Sequence, residues 1–332
     1  MPTWSEILNE LQKNHKGDGS EFDLVRRRYL VSAKEHSQRN TILYATKWTQ
    51  PDPHIDPDVI SIAEEDLQGF MEVLHGLSGT QLDLILHSPG GSPTVAEAIV
   101  SYLRSKFDHI KVIVPSLAMS AATMIACAAD IIVMGKHSFL GPIDPQLLLP
   151  TPLGLRMVPA QAILDQFDKA LSGATDQSSL AAWYPMLGQY GPDLLLQCER
   201  AIELSKELVK RWLTSYMFRN VPEERYTTKP AEIAQWLSSH GHWKTHSRHI
   251  PRSELEQQGL KIEHLEQDQV MQDIFLSIFH ATTHTFQGTN AVKIIENHEG
   301  KAFIKLARIM VQQHGPRTGG SKSKSKGKKR HR

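Results

Sequence analysis

The stretch between residues 82 and 134 most constrains what this chain can fold into. Leu82-Asp83-Leu84-Ile85-Leu86-His87 is a short apolar run, stopped by Ser88-Pro89-Gly90-Gly91. Pro93–Lys106 then carries Val95, Ile99, Tyr102 and Leu103 on one helical face, with Ser92 placed to cap it and Pro93 as its first residue. His109–Pro115 is a second buried run, Ser120–Ala129 a small-residue helix, and Asp130–Met134 a third strand. Strand, helix, strand, helix, strand with short joints predicts a parallel sheet with right-handed crossovers, an α/β architecture. The most apolar window, Val112–Gly135, is long enough to suggest a membrane span. Pro115 and Asp130 interrupt it, and its many alanines suit close packing, so it reads as buried core.

Elsewhere the pattern is simpler. Residues 4–14 have helical apolar spacing, and Phe22–Ser37 reads as a second, basic helix. Thr41–Thr46 is strand-like, a Pro/Asp-rich loop follows at 51–58, and Ile60–Leu77 reads as a helix with acids near its start. Beyond Pro150 the chain turns helical, most clearly at Val158–Leu171, Asp193–Phe218 and Ala231–Leu237. Gln269–Phe279 and Ala302–Val311 close the ordered part of this helical half. The division expected is an N-terminal helical arm at 1–37, a main domain at 38–314 and a disordered basic tail at 315–332.

Charge supports that division. Eight of the 37 Lys and Arg lie in Gly315–Arg332, which has no acid, leaving 29 against 36 acids and a net charge of −7 for residues 1–314. The tail has no aromatic residues for base stacking, so a weak, nonspecific, salt-sensitive contact with an anionic partner is the most it implies. Two cysteines, Cys127 and Cys198, cannot build a disulfide framework, and no Cys-x-x-Cys spacing exists for zinc. With no apolar core of signal-peptide length near Met1 and no transmembrane segment, a cytoplasmic protein is expected.

Chemistry is expected at the joints. In a parallel sheet the carboxyl ends of strands and the amino ends of the following helices share one edge. Gly90-Gly91 lets backbone N–H groups approach a ligand closely, and Ser120 opens a helix whose dipole favours nearby negative charge. Side by side, the joints supply a nucleophile, the Ala121 N–H and the Gly91 N–H, the parts of an oxyanion hole for acyl transfer. On spacing alone, a tight turn beside an ordinary N-cap serine is the favoured reading.

Three segments carry a resemblance: Leu84-Ile85-Leu86-His87-Ser88-Pro89-Gly90-Gly91, Val114–Ala126 with its Met119-Ser120-Ala121-Ala122-Thr123, and Met134–Gln146 with its Gly141-Pro142-Ile143-Asp144. Over about residues 40–147 the chain resembles the serine dehydrogenase proteinase family. That family belongs to the ClpP/crotonase-like group, with the Clp protease proteolytic subunit and signal peptide peptidase A as relatives. The resemblance implies a spiral of ββα units with a helical C-terminal half. It also implies a serine nucleophile at Ser120, oxyanion donors in the Gly90-Gly91 turn and at Ala121, a polypeptide substrate and a homo-oligomer. No cofactor and no metal are expected. One departure stands out: such serines are usually followed by Ala-Gly, and this chain has Ala121-Ala122.

The general base is less legible, since a serine hydroxyl needs a partner to take its proton. Where the Clp subunit carries its histidine, this chain has Asp144, suited to orienting a base or holding substrate backbone. Signal peptide peptidases use a later lysine, which points to Lys206 on the long helix and after it to Lys169. His246 is a further candidate, because 240–249 falls where the Clp fold carries its triad acid, and triads of different chain order can play the same roles. The four histidines of 240–249 read as a structural or partner-binding loop rather than a metal site. The sequence therefore points to a serine-type endopeptidase. A catalytically inactive ClpP-like scaffold or peptide-binding protein is the alternative, and an acyl-CoA enzyme of the crotonase type a third.

Overall fold

A computed structural model describes residues 2–50, 52–151, 154–174, 177–188, 190–221 and 228–307. The basic tail at 315–332 lies outside the described residues. Two helices, α1 (Trp4–Lys13) and α2 (Ser20–Ser37), precede β1 (Asn40–Thr46). Next come a single helical turn, α3 (Pro57–Ile60), then α4 (Glu65–Leu74), β2 (Gln81–His87), α5 (Pro93–Arg104), β3 (His109–Val114), β4 (Leu117–Ala118) and α6 (Ala121–Cys127). Strands β5 (Ile131–Met134) and β6 (Phe139–Leu140) lead to a hairpin, β7 (Gln146–Thr151) and β8 (Gly154–Pro159). Helices α7 (Ala160–Gly173), α8 (Gln177–Leu187) and α9 (Leu194–Trp212) follow. The remainder contains the helix Lys229–Ser238, β9 (Ile250–Pro251), β10 (Ile262–His264), the helix Gln269–Gly288, β11 (Ala291–Asn297) and β12 (Ala302–Leu306).

The main sheet has the order β10-β5-β3-β2-β1-β11-β12, parallel from β10 to β1 and antiparallel across β11 and β12. Period-2 alternation divides its side chains between two cores. Ile42, Tyr44, Leu84, Leu86, Val112, Val114 and Met134 face the larger one, shared with α4, α5, α6 and α9. Leu43, Ala45, Ile85, Ile113 and Val133 face the other, beneath α2 and the helix Gln269–Gly288. A second layer, β4-β6-β9, stands at the carboxyl edge of the main sheet, so β3-β4-α6 and β5-β6 are successive turns of a ββα spiral.

The expected crossover core is present, and Ser92 Oγ accepts from Val95 N at 3.3 Å at the head of α5. Three expectations change. The helix expected over Ile60–Leu77 is confined to Glu65–Leu74, because Ile62 is instead extended and bridges Gly91. The chain between Asp144 and α7 is a hairpin in which Leu147, Leu149 and Val158 pack on α7 and α9. Ala302–Leu306 is a strand, paired with β11, rather than the start of a closing helix.

Candidate active site

The first joint follows the end of β2. Gly90 N donates to Ser88 Oγ at 3.2 Å, so that N–H is taken. Ile62 N donates to Gly90 O at 2.7 Å and Ser92 N to Ile62 O at 3.0 Å. In such a parallel bridge the N–H of the residue between, Gly91, points away from Ile62, and Gly91 is exposed. Both glycines are required. Gly91 has φ +148°, and a Cβ there would meet Ile62 N at 2.4 Å. Gly90 has φ +97°, and its Cβ would meet Met119 O at 2.6 Å, Ser120 Cβ at 2.7 Å and Ala121 N at 2.8 Å. The two joints therefore pack directly on one another.

At the second joint Ser120 has φ 54° and ψ −122°, outside the left-handed helical region as well as the ordinary ones. A non-glycine residue there is strained, and a sharp strand-to-helix turn of this kind lifts a serine hydroxyl out of the fold. The turn is fastened by Ala122 N to Met119 O (2.9 Å) and Met124 N to Ser120 O (3.1 Å). Thr123 Oγ1 donates to Ala118 O at 2.8 Å and accepts from Gly141 N at 2.9 Å. Ala121 opens α6, so its N–H has no acceptor within the helix. Ser120 is half-buried, whereas Ala121 and Ala122 are buried, with the Ala122 methyl packed in the core.

The small β4-β6-β9 layer gathers the remaining candidates. β4 and β6 run parallel, Ala118 opposite Leu140, and β9 runs antiparallel with Ile250 opposite Leu140. The chain leaving β4 toward Ser120, the chain leaving β6 toward Asp144 and the chain entering β9 from His246 therefore lie at the same end. Asp144 is only 2% exposed. Its Oδ1 is 2.7 Å from His246 Nδ1, its Oδ2 is 2.8 Å from His240 Nδ1, and Gln146 Nε2 donates to Oδ2 at 3.2 Å. A carboxylate on Nδ1 selects the tautomer that leaves Nε2 free to accept a proton. The sequence reading missed His240. The cluster of four histidines was its signal, but nothing in chain order marked that one.

Lys206 is half-buried on α9 and Lys169 exposed on α7, and neither makes a hydrogen bond or ion pair among the described residues. Ser120 Oγ has no hydrogen-bond partner among the described residues either, so none of the candidate bases meets it. Cys127 is fully buried, and burial pushes its thiol up to about 12, leaving it a packing residue. His87, beneath the Ser88–Gly91 turn, is enclosed between Trp48 and Phe279, and burial pushes it down to about 4. Among the described residues no group of three or more His, Cys, Asp or Glu is arranged to hold a metal. No helix among them is long and apolar enough to cross a membrane.

Residues 72–182 match the family of ClpP-like SDH-type serine proteinases. This segment contains both joints and Asp144, and the mixed α/β fold is ClpP-like. Two uncharacterized proteins of Methanocaldococcus jannaschii align at 35% and 29% identity, over 44% and 54% of this chain and 56% and 51% of their own. The chain thus spans about half the length of the curated relatives it matches. A solved structure of a mutant of the 1510-N membrane-bound stomatin-specific protease is similar at TM-score 0.32 and 15% identity. It covers 55% of this chain and 64% of that one, too remote a likeness to add to the match over 72–182.

Proposed function

We propose that this protein is a serine peptidase in which Ser120 attacks the carbonyl carbon of a peptide bond. The observation that carries the reading is the strained Ser120 turn at the head of α6, packed against Gly90 with the Gly91 and Ala121 N–H groups on the same edge. As the Oγ–carbon bond forms, the carbonyl oxygen gains negative charge and takes hydrogen bonds from Gly91 and Ala121. His246 Nε2 receives the serine proton, while Asp144 on Nδ1 stabilises the imidazolium. The proton then passes to the leaving amine as the C–N bond breaks, and water, deprotonated by the same imidazole, releases the acyl group from Ser120. His246 is preferred to Lys206 and Lys169 because it meets the site end of the small sheet already oriented by a buried carboxylate.

The substrate is a polypeptide and the working form a homo-oligomer in this reading. The outward face of the β7–β8 hairpin supports self-association, with Leu148, Leu155 and Met157 each more than half exposed. Residues 38–314 are the peptidase body. The two buried free cysteines suit a cytoplasmic setting. One observation favours a second reading, a peptide-binding scaffold: Ser120 Oγ has no proton acceptor within hydrogen-bond reach among the described residues. A fluorophosphonate probe with peptide mapping separates the two. Labelling at Ser120 that is lost in Ser120→Ala and strongly slowed in His246→Gln supports the peptidase, and an unlabelled Ser120 in the folded protein overturns it.

A further inference from the structure

The larger core contains a charged cluster that the catalytic reading does not use. Lys293 on β11, Asp66 on α4 and Tyr44 on β1 are each 0% exposed. Lys293 Nζ donates to Asp66 Oδ1 at 2.6 Å and to Ser61 O at 2.8 Å. Asp66 Oδ2 accepts from Tyr44 Oη at 2.7 Å and from Ala63 N at 3.0 Å. Burial, with Asp66 beside it, holds the Tyr44 phenol well above its ordinary range, so it stays a donor. Burying a lysine and an aspartate is costly unless each is paired and saturated with hydrogen bonds. Here the bonds beyond the pair go mainly to one target, the backbone on either side of Ile62.

Ile62 is the residue that clamps the first joint: its N–H holds Gly90 O and its carbonyl holds Ser92 N, with Gly91 between. Lys293 fixes the carbonyl just before Ile62 and Asp66 the N–H just after it. Tyr44 holds the other oxygen of the same carboxylate, fixing how Asp66 meets the Ala63 N–H. Resting on the peptidase reading above, we propose that Lys293, Asp66 and Tyr44 are positioning residues for the oxyanion donor Gly91. They hold residues 61–63 extended so that the Gly91 N–H faces the reacting carbonyl. None of the three touches substrate.

Two variants test this, Tyr44→Phe and the double variant Lys293→Met with Asp66→Leu, which removes both buried charges together and leaves neither unpaired. Each is compared with wild type by hydrogen exchange and by the kinetics of fluorophosphonate labelling. The expected result is selective. Exchange at Ile62 and Ser92 rises about tenfold or more, while exchange in β3 and the helix Gln269–Gly288 stays unchanged. The maximal labelling rate falls about 10- to 100-fold with the probe's half-saturating concentration unchanged, as expected for a misplaced donor rather than a damaged binding surface. Unchanged exchange at residues 61–63 and 88–92 in a folded variant overturns the proposal, and so does a rise spread evenly over the fold. If wild-type Ser120 does not react at all, the peptidase reading fails, and the exchange measurement still decides whether this cluster sets the turn.

Discussion

Replacing Ser120 by glycine and by alanine separates strain from chemistry. Both remove the hydroxyl, but only glycine accepts φ 54° and ψ −122° without penalty. Strain at such a position costs about 1–3 kcal/mol in the folded state. Glycine in place of alanine costs about 0.4–1 kcal/mol through the greater freedom of the unfolded chain. Ser120 is only half-buried, so a lost Cβ removes little packing. Ser120→Gly should therefore be more stable than Ser120→Ala by about 1 kcal/mol, a displacement of the urea midpoint of about 0.3 M for a slope of about 3 kcal/mol/M. Parallel urea titrations of the two variants, followed by circular dichroism, give the difference directly. A glycine variant less stable than the alanine variant would mean an ordinary backbone at 120 and would remove the main physical argument for a nucleophile there.

Gly90→Ala should abolish Ser120 labelling and lower stability, because its Cβ would fall 2.6 Å from Met119 O and 2.8 Å from Ala121 N, both backbone atoms. Thermal melting together with labelling tests this, and full labelling with an unchanged melt would refute the packing of the two joints. His87 should make stability depend on pH. Burial lowers it from 6.5 to about 4, so it is neutral in the folded state and protonated more readily once unfolded. Its contribution is fully present above pH 6.5 and is lost as pH falls toward 4, about 2 kcal/mol of it between pH 7 and 5. His87→Leu should remove that part of the slope in urea titrations at the two pH values, and an unchanged slope would refute the assignment. Removing residues 315–332 should leave the melting temperature and the Ser120 labelling rate as they are, and loss of either would show that the tail contributes to the body.

What was legible in the sequence is what depends on local pattern. The runs at 82–87, 109–115 and 130–134 are apolar because their strands are covered on both faces, and the Pro-Gly-Gly and Ser-Ala-Ala joints carry their own turn chemistry. β11 was not legible, although it is buried from end to end. Lys293, Glu296 and Asn297 interrupt its apolar pattern, and each is fully buried because a distant partner compensates it. Lys293 meets Asp66, Glu296 meets Arg26 at 2.5 Å and Arg27 at 2.6 Å, and Asn297 Nδ2 donates to Val73 O at 2.7 Å. Sequence spacing contains no trace of partners more than 200 residues away. The extended turn at 61–63 was hidden for the same reason, since a bridge to Gly91 and bonds to Lys293 and Asp66 override the helical spacing around it.

The order of strands in the small sheet bears on how the base engages. Asp144 follows the central strand β6, with Ser120 beyond one neighbour and His246 before the other. With the carboxylate strand in the middle, the Asp144 contact on Nδ1 orients the His246 ring but does not by itself bring Nε2 to Ser120. For His246 Nε2 to take the Ser120 proton, the ring must lean across the carboxylate while Asp144 stays on Nδ1. The segment around His246 is suited to that movement. Lys244, Thr245, Ser247, Arg248 and His249 are all exposed, and His246 is itself half-buried, so little packing opposes a shift toward β4. Asp144, by contrast, is held from both sides and is buried. In the proposed peptidase, the movable element is thus the proton carrier and the fixed element its orienter. A Ser120 without a proton acceptor among the described residues fits that division of labour, in which a polypeptide substrate or a neighbouring copy draws residues 244–249 inward.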